Sequence, residues 1–257
     1  MTDGGAWRVL LESAPGQQRA LLYDGGRICE AWHHFDHAPD LTGSVHRAQI
    51  DRVYADLGRA TARLDDGTTV SIRTTSRDRV EAGGPVTVTI AAAPRDGKPW
   101  QAVLGPRLVG RDVILLPGEA GIAESRQLET APADGVKARI ATVCDTAPGY
   151  GVILRRTAGA ATDLAGAVAA LIAEWRQDAC EIATTGCVYH GGDLAARVRR
   201  AFPSVQTETV TPDQAEAFDA EWDEVVAATR RSEVRLAGGG RLWIEPTRAL
   251  TAIDADS

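Results

Sequence analysis

The stretch that decides the fold is residues 232–257, S-E-V-R-L-A-G-G-G-R-L-W-I-E-P-T-R-A-L-T-A-I-D-A-D-S. Val234 and Leu236 alternate with polar residues, and this period-two pattern predicts a strand. The glycines at 238–240 predict a turn, after which residues 242–244 predict a second strand. Two strands joined by a short glycine-rich turn predict a β-hairpin at this end of the sequence.

An apolar run from Ala249 to Ile253 follows the hairpin and leads directly to Asp254. The backbone of a strand is rigid, so an acid at its end is well placed to bind a cation. A loop acid with no bound ion is the alternative that the residues alone leave open. Asp254 is therefore a candidate metal ligand.

The same stretch resembles the ribonuclease E/G family, in which E-V-R-L, a glycine-rich turn and an apolar strand precede T-x-A-L-T-x-I-D-x-N-S. The matching residues are Glu233, Val234, Arg235, Leu236, Thr247, Ala249, Leu250, Thr251, Ile253, Asp254 and Ser257. The sequence departs from this pattern by having Asp256 where the family has Asn.

The resemblance implies that Asp254 and Asp256 are catalytic and that Asp254 binds Mg²⁺. One or two carboxylates together with substrate phosphate oxygens are the usual magnesium ligands. Asp256 could support Asp254 through water or bind the ion directly, or the two carboxylates could repel each other and raise one pKa. The family completes this site with an Asp from a later strand. We therefore expect little cleavage by residues 1–257 alone, as a fragment or a natural short form.

Two further segments resemble the RNA 5′-phosphate pocket of the family. The run G-V-I-L-R-R-T-A-G at 151–159 carries Arg156 and Thr157 at the end of an apolar strand. A guanidinium and a hydroxyl side by side can bind a terminal phosphate, although an isolated Arg-Thr pair is also typical of a surface salt bridge. The run L-L-P-G-E-A-G-I-A-E-S-R at 115–126 resembles the companion loop. The resemblance implies that the phosphate-binding residues are Arg156, Thr157, Gly121, Ile122 and Arg126.

Composition limits how this chain can contact RNA. The formal net charge is −7 and the pI about 5.3, which argues against a broad basic surface that coats nucleic acid. Between Thr42 and Val113 the only aromatic residues are Tyr54 and Trp100, whereas barrels that bind single strands use stacked aromatics. Basic residues of this segment fit a solvated surface or an RNA path equally well; they include His46, Arg47, Arg52, Arg59, Arg63, Arg73, Arg77 and Arg79.

The hydrophobic pattern predicts a β-rich first part and a helical second part. Strands are predicted at 7–11, 19–23 and 27–32, several short strands of a small barrel at 42–90, and more β structure at 107–116, 139–143 and 150–154. Helices are predicted at 163–176, 193–202 and 211–230, with a strand at 205–210.

The fold class expected from this pattern and the resemblance is multi-domain α+β. A ribonuclease-H-like fold is interrupted by an S1-type (OB) β-barrel and a 5′-sensor-like subdomain, and the start of a DNase-I-like subdomain follows. The corresponding segments are 1–38 and 181–231 for the ribonuclease-H-like fold, 39–111 for the barrel, 112–180 for the 5′-sensor-like subdomain and 232–257 for the start of the catalytic subdomain.

The function implied by the resemblance is Mg²⁺-dependent endonucleolytic cleavage of single-stranded RNA, with sensing of a 5′-monophosphate, in RNA processing and decay. The alternative is an RNA 5′-end-binding or regulatory module without catalysis. The longest purely apolar run, 164–173, is too short to span a bilayer. We therefore expect a cytoplasmic protein whose partner is single-stranded RNA, and a homo-oligomer is one of the states that the sequence allows.

Overall fold

A computed structural model describes residues 7–38, 40–95, 97–161, 163–181, 184–203, 205–236, 238–247 and 250–256. The chain divides into two compact units, one formed by residues 1–33 and 206–257 and the other by residues 34–205. They are called the first and the second unit below. The fold is α+β, as predicted, with a closed five-stranded barrel in the second unit.

The elements follow one another along the chain in four groups. The first strands are β1 (Arg8–Ala14), β2 (Gln17–Asp24) and β3 (Arg27–Phe35). The next are β4 (Val45–Tyr54), β5 (Arg59–Arg63), β6 (Thr69–Arg73), β7 (Pro85–Ala92) and β8 (Trp100–Leu104). The third group is β9 (Leu108–Val109), β10 (Val113–Pro117), β11 (Ile122–Glu124), α1 (Val136–Thr146), β12 (Tyr150–Leu154) and α2 (Leu164–Asp178). The last is β13 (Gly186–Tyr189), α3 (Leu194–Ala201), β14 (Gln206–Thr209), α4 (Ala215–Thr229), β15 (Glu233–Arg235), β16 (Arg241–Pro246) and β17 (Thr251–Asp256).

A four-stranded sheet in the order β14-β1-β2-β3 forms the body of the first unit. β1 is antiparallel to β2 and parallel to β14. Phe218 and Trp222 of α4 pack against Leu10, Leu21 and Tyr23 of the sheet, because the spacing of four residues places both aromatic rings on one side of the helix. The strands and the helix predicted for these segments are confirmed.

Arg19 joins this sheet to α4 through charge as well as packing. Its guanidinium Nε lies 2.6 Å from Glu12 Oε2, and Nη2 lies 2.5 Å from Asp219 Oδ1. The same guanidinium lies over the ring of Trp222, 5.4 Å from its centroid. Arg19 itself is buried, and a buried charge is tolerated only when it is paired and hydrogen-bonded in this way.

The barrel predicted from the short strands is confirmed. Its strands run in the order β4-β5-β6-β8-β7, and β7 pairs back with β4 to close it. β6 and β8 are parallel, whereas the other neighbouring pairs of the barrel are antiparallel. This is an OB-like arrangement. Small and β-branched residues fill the interior, among them Ala48, Ala60, Ala62, Val70, Ile72 and Val88.

β13 extends the barrel sheet by pairing antiparallel with β4. Residues 181–231 divide between the two compact units by their contacts: β13 and α3 lie in the second unit, and β14 and α4 in the first. The pairing of Cys187 with His46 across these strands is part of the contact that holds β13 against the barrel.

A second sheet of the same unit has the order β11-β12-β10-β9 and is covered by α1 and α2. The β structure predicted at 139–143 is wrong, because these residues belong to α1. Val136 and Ile140 are buried one helical turn apart, so the short apolar pattern has helical as well as strand periodicity. The predicted helices at 163–176 and 193–202 are confirmed as α2 and α3, and Asp163 and Asp193 cap them by accepting backbone N–H groups.

Three strands in the described part of the stretch 232–257, β15, β16 and β17, form a three-stranded sheet in that order. The predicted hairpin is confirmed, and the run after it turns back as a third strand antiparallel to β16. One face of this sheet carries Val234, Leu242, Ile244 and Ile253, because residues of alternating number share a face. The other face carries the charged residues, including Asp254 and Asp256. Of the residues that match the family pattern, positions 249 and 257 lie outside the described ranges.

Candidate functional site

Two loops of the second unit lie against each other beyond the end of β12. The first loop is 125–130, and the second is 155–159. Ser125 N–H donates to the Leu154 carbonyl at 2.8 Å, and Glu129 N–H donates to the Arg156 carbonyl at 3.1 Å. A Cβ at Gly159 would lie only 2.0 Å from the Thr130 carbonyl oxygen. Glycine is therefore required at 159, and the two loops form one continuous surface, called the paired loops below.

Arg156 and Thr157 both lie on the paired loops, and each contacts a carboxylate. Arg156 Nε is 3.2 Å from Glu129 Oε1, and both side chains are more than half exposed. Thr157 Oγ1 donates to Asp112 Oδ1 at 2.6 Å in a partly buried hydrogen bond. A guanidinium and a hydroxyl are thus presented next to each other with two acids beside them.

Arg155 holds the turn before β10, next to Thr157, whose hydroxyl lies 3.5 Å from the same Arg111 carbonyl that Arg155 binds. Its backbone N–H donates to the Asp112 carbonyl at 2.8 Å. Its guanidinium Nη1 donates to the Arg111 carbonyl at 3.1 Å and to the Gly110 carbonyl. Because the guanidinium of Arg155 is already hydrogen-bonded to main-chain carbonyls, the more exposed guanidinium of Arg156 is the one that a ligand can reach.

The remaining residues of the expected phosphate pocket divide between two places. Arg126 is an exposed residue of the first of the paired loops. Gly121 and Ile122 lie elsewhere: the Gly121 carbonyl accepts from Val152 N–H at 2.9 Å, and Ile122 is in register with Val152. Val152 lies in the middle of β12, whereas Arg156 lies beyond the end of this strand. Arg126 therefore shares the paired loops with Arg156 and Thr157, and Gly121 and Ile122 lie beside the middle of β12.

Asp112 and Glu129 are site residues that sequence reasoning missed. Each is far along the chain from the side chain it contacts, so no local motif indicates the contact. The antiparallel register of β10 and β12 pairs Val113 with Leu154, and this pairing brings Asp112 next to Arg155. A prediction of that strand pair from the two apolar runs would have found Asp112.

Asp254 and Asp256 lie on the charged face of β17. They are opposite Trp243 and Arg241 of β16, respectively, and both are exposed. Two carboxylates two residues apart on one strand face supply the hard oxygen ligands that Mg²⁺ prefers, with waters and phosphate oxygens as the other ligands. Across the residues that the structure describes, no group of three or more His, Cys, Asp or Glu side chains is arranged to hold a metal ion.

The barrel carries a basic cleft of about 400 Å³ at the ends of β5, β6 and β8 and along the loop from β7 to β8. Arg59, Arg95 and Lys98 supply its positive charge, and Ser71 and Gln101 supply hydrogen-bonding groups. No aromatic side chain lines it among the described residues. OB folds bind oligonucleotides on this part of the barrel; the described lining of this cleft offers cations and hydrogen-bonding groups rather than aromatic rings.

A larger cavity of about 530 Å³ lies between α2, α3 and the turn before β10. Alanines and Leu171 of α2 form its apolar part, and Arg111, Asp112 and Arg199 are among its polar residues. Arg200 and Glu174 form an ion pair on its wall, and Tyr189 O–H donates to Glu174 Oε1 at 2.6 Å. Asp112 therefore lies between this cavity and Thr157.

No helix in the described ranges is both long and apolar enough to cross a bilayer. The chain matches no protein-family model, and a search of curated proteins finds no significant match.

Proposed function

We propose that this protein is an RNA-processing enzyme of the ribonuclease E/G type that recognises the 5′-monophosphate of single-stranded RNA. The observation that supports the proposal is the contact between the paired loops, which brings the loop that carries Arg126 next to the loop that carries Arg156 and Thr157 although the two loops are about thirty positions apart in the chain. Arginine guanidinium groups bind phosphate through two parallel N–H···O bonds, and a hydroxyl adds a third contact.

The order of the elements supports the finer fold assignment within this proposal. A sheet begins with β1 to β3, the chain then forms the OB-like barrel and the α/β part that carries the paired loops, and it returns to the first sheet with β14 next to β1. A ribonuclease-H-like fold with an S1-type barrel and a 5′-sensor-like subdomain inserted predicts this return. A DNase-I-like subdomain beginning at β15 is the remaining part of the assignment.

RNA contacts in the barrel follow from charge. The cleft with Arg59, Arg95 and Lys98 offers cations to the phosphate backbone, so we expect weak binding that falls steeply as salt is added. Specific recognition would come from the 5′ end at the paired loops. The net charge of −7 makes such local basic surfaces the places where RNA can approach.

Catalysis is assigned to the charged face of β17. Asp254 and Asp256 would hold Mg²⁺, and Arg241, opposite Asp256, places a positive charge beside them. When bound, the ion polarises a phosphoryl oxygen and lowers the pKa of a bound water. The exposed carboxylates keep open positions for water and phosphate, as Mg²⁺ sites require.

A second candidate function is RNA 5′-end binding without cleavage. One observation favours it: in the described part of the chain, Asp254 and Asp256 are not joined by a third metal-binding side chain. A loosely held ion positions the attacking water poorly, and positioning supplies much of the rate acceleration. Selective RNA binding without Mg²⁺-dependent cleavage would identify this second function.

The test of 5′-phosphate recognition is the substitution Arg156→Ala. Loss of a charge-assisted hydrogen bond costs about 1.5–3 kcal/mol, so affinity for 5′-monophosphorylated RNA should fall about 10- to 100-fold. Affinity for the same RNA with a 5′-hydroxyl should not change. Fluorescence anisotropy with both RNAs on the full chain measures these affinities.

Lys137→Ala is the matched control for this substitution. Lys137 is also exposed and ion-paired, to Glu124 at 2.6 Å, and it belongs to the same α/β part of the unit, but it is outside the paired loops. It should lower both affinities slightly and equally. Equal losses for the two RNAs in Arg156→Ala, or no loss for either, would show that the paired loops are not a 5′-phosphate pocket.

A further inference from the structure

Two of the side chains that would bind the phosphate already contact a carboxylate of the same chain. Arg156 Nε is 3.2 Å from Glu129 Oε1, and Thr157 Oγ1 is 2.6 Å from Asp112 Oδ1. A threonine hydroxyl has one proton to donate. While Thr157 donates that proton to Asp112, it has none left for a phosphate oxygen.

The two acids are held beside the pocket by the main chain. Glu129 N–H is hydrogen-bonded to the Arg156 carbonyl, and the Asp112 carbonyl accepts from Arg155 N–H. Asp112 and Glu129 therefore stay near the paired loops in any rotamer. A phosphate entering this surface meets two negative charges within a few ångströms, and like charges at such distances repel even in a polar medium.

The carboxylates nevertheless have space to move aside. Glu129 is more than half exposed, so its side chain can rotate into solvent. Asp112 lines the cavity of about 530 Å³ next to α2 and α3, and rotation toward that cavity would release the Thr157 hydroxyl. The acids can thus be displaced by a ligand whose total binding energy exceeds the cost of displacement.

We propose that Asp112 and Glu129 are specificity-determining residues that compete with phosphate for Thr157 and Arg156, an inference that rests on the proposed function. A free phosphate ion gains only the contacts of the pocket and must displace both acids to obtain them. The 5′-phosphate of an RNA whose backbone is also held by the barrel gains additional contacts. Asp112 and Glu129 therefore exclude free phosphate from the pocket but admit the 5′ end of an RNA that is already bound elsewhere on the protein.

The test uses Glu129→Gln and Asp112→Asn in the full chain. Both substitutions remove negative charge with little change of shape. In Asp112→Asn the hydrogen bond from Thr157 is to a neutral amide and therefore weaker, so the hydroxyl is more easily released to a phosphate oxygen. Each should raise affinity for 5′-monophosphorylated RNA about 2- to 5-fold, the range of an exposed ion pair, with no change for 5′-hydroxyl RNA. Inorganic phosphate should compete with the monophosphorylated RNA at a correspondingly lower concentration than in the wild type.

Two controls separate competition at the pocket from a general effect of charge. Glu124→Gln removes an acid that is also ion-paired and exposed, but whose partner is Lys137, and it should leave the preference for a 5′-phosphate unchanged. In an Arg156→Ala background, Glu129→Gln should no longer raise affinity, because the competed guanidinium is absent.

The binding of the two RNAs to the wild type and to the two variants can have three outcomes. A wild type that prefers 5′-monophosphate, with Glu129→Gln and Asp112→Asn identical to it, would overturn the competition while the proposed function stands. If the wild type binds both RNAs equally and the two variants prefer 5′-monophosphorylated RNA, the result would support the competition by Asp112 and Glu129. No preference in any protein would overturn both the inference and the proposed pocket. Glu129 is exposed, so if Asp112→Asn fails to fold, Glu129→Gln alone decides.

Discussion

Several buried or partly buried polar side chains of this protein are hydrogen-bonded to a specific partner. Tyr23 O–H donates to Glu221 at 2.5 Å, and Tyr189 O–H donates to Glu174; burial and these carboxylates raise the pKa of both phenols. Asp40 accepts from Arg197 Nη2 at 2.6 Å and from Thr42 N–H at 2.9 Å. Burial alone would raise the pKa of Asp40, but the hydrogen bonds from Arg197 and Thr42 outweigh it and lower this pKa below its ordinary value.

The lowered pKa of Asp40 predicts a pH-dependent contribution to stability. A carboxyl group whose pKa is lower in the folded state stabilises the fold above its unfolded pKa, about 3.9, and loses this contribution as pH falls through the folded pKa. Asp40→Asn should lower the free energy of unfolding by about 1 kcal/mol at pH 7, a modest value because the side chain is 38% exposed. The difference from wild type should shrink below about pH 4.

Urea denaturation at pH 7, 5 and 3 measures this difference. Asp51→Asn is the control, because Asp51 pairs with Arg63 at 3.0 Å where both side chains are about half exposed, and its loss should change stability by less than ~0.5 kcal/mol. A difference between wild type and Asp40→Asn that stays constant down to pH 3 would refute the assignment of the Asp40–Arg197 pair.

At the scale of elements, regular patterns were predictable and elements that depend on distant partners were not. The helical spacing in α2 and the capping Asp163 are local signals, and both are observed. The short apolar pattern of α1 fits both the helical and the strand periodicity. Its packing against α2 and the sheet stabilises the helix. β13 is identified only by its pairing with β4, and no local sequence pattern predicts this pairing.

The terminal sheet shows how strand alternation positions the candidate catalytic acids. Because β17 is extended, Asp254 and Asp256 share one face while Ile253 and Ala255 share the other. The sequence predicts Asp254 as the end of an apolar strand. In the structure the strand continues to Asp256, so Asp254 lies within β17, opposite Trp243, and not at its end.

Asp254→Asn should abolish Mg²⁺ binding at this face, since one of two hard oxygen ligands is lost. Since little cleavage is expected from residues 1–257 alone, loss of Mg²⁺ binding is the main expected result, and any weak Mg²⁺-dependent cleavage by the wild type should disappear in the variant. Calorimetric titration with Mg²⁺ and a single-turnover cleavage assay on 5′-monophosphorylated RNA are the measurements.

Glu245→Gln is the matched control for Asp254→Asn, because Glu245 is an exposed acid of β16 that shares the charged face of the sheet. It should leave Mg²⁺ binding and cleavage unchanged. Cleavage that survives Asp254→Asn at the wild-type rate would place the active site elsewhere. Equal losses in both variants would indicate a general effect of surface charge.

At the scale of the whole molecule, the OB-like barrel and the strand and helix at the end of the second half were predictable from the hydrophobic pattern. The division of the chain into two compact units at 205/206 depends on packing, because β13 and α3 pack within the second unit. Val45 and Tyr189 belong to the same apolar cluster although they are far apart in sequence, so their contact could not be predicted from local patterns.

The second unit should fold as an isolated fragment of residues 34–205. It is one continuous segment that contains the barrel core and the apolar cluster under α1 and α2, and a domain with its own core can fold alone. We expect a cooperative thermal transition followed by circular dichroism, with dispersed amide signals in a proton–nitrogen correlation spectrum. The fragment comprising residues 1–33 should stay unfolded under the same conditions, since its sheet lacks β14. A non-cooperative melt of 34–205 would contradict the division.

The parallel pairing of β1 with β14 has a consequence for how the nascent protein acquires its structure on the ribosome. β1 is synthesised early, but its neighbour β14 starts at Gln206. Translation proceeds at about 5–20 residues per second, so β1 waits roughly 10–40 s for that partner. During this interval the intervening residues have time to fold, because small domains mature in seconds or less. Until β14 emerges, residues 1–33 lack the strand that completes their sheet, so the apolar side chains of β1 and β2 stay open to contacts with other chains during synthesis.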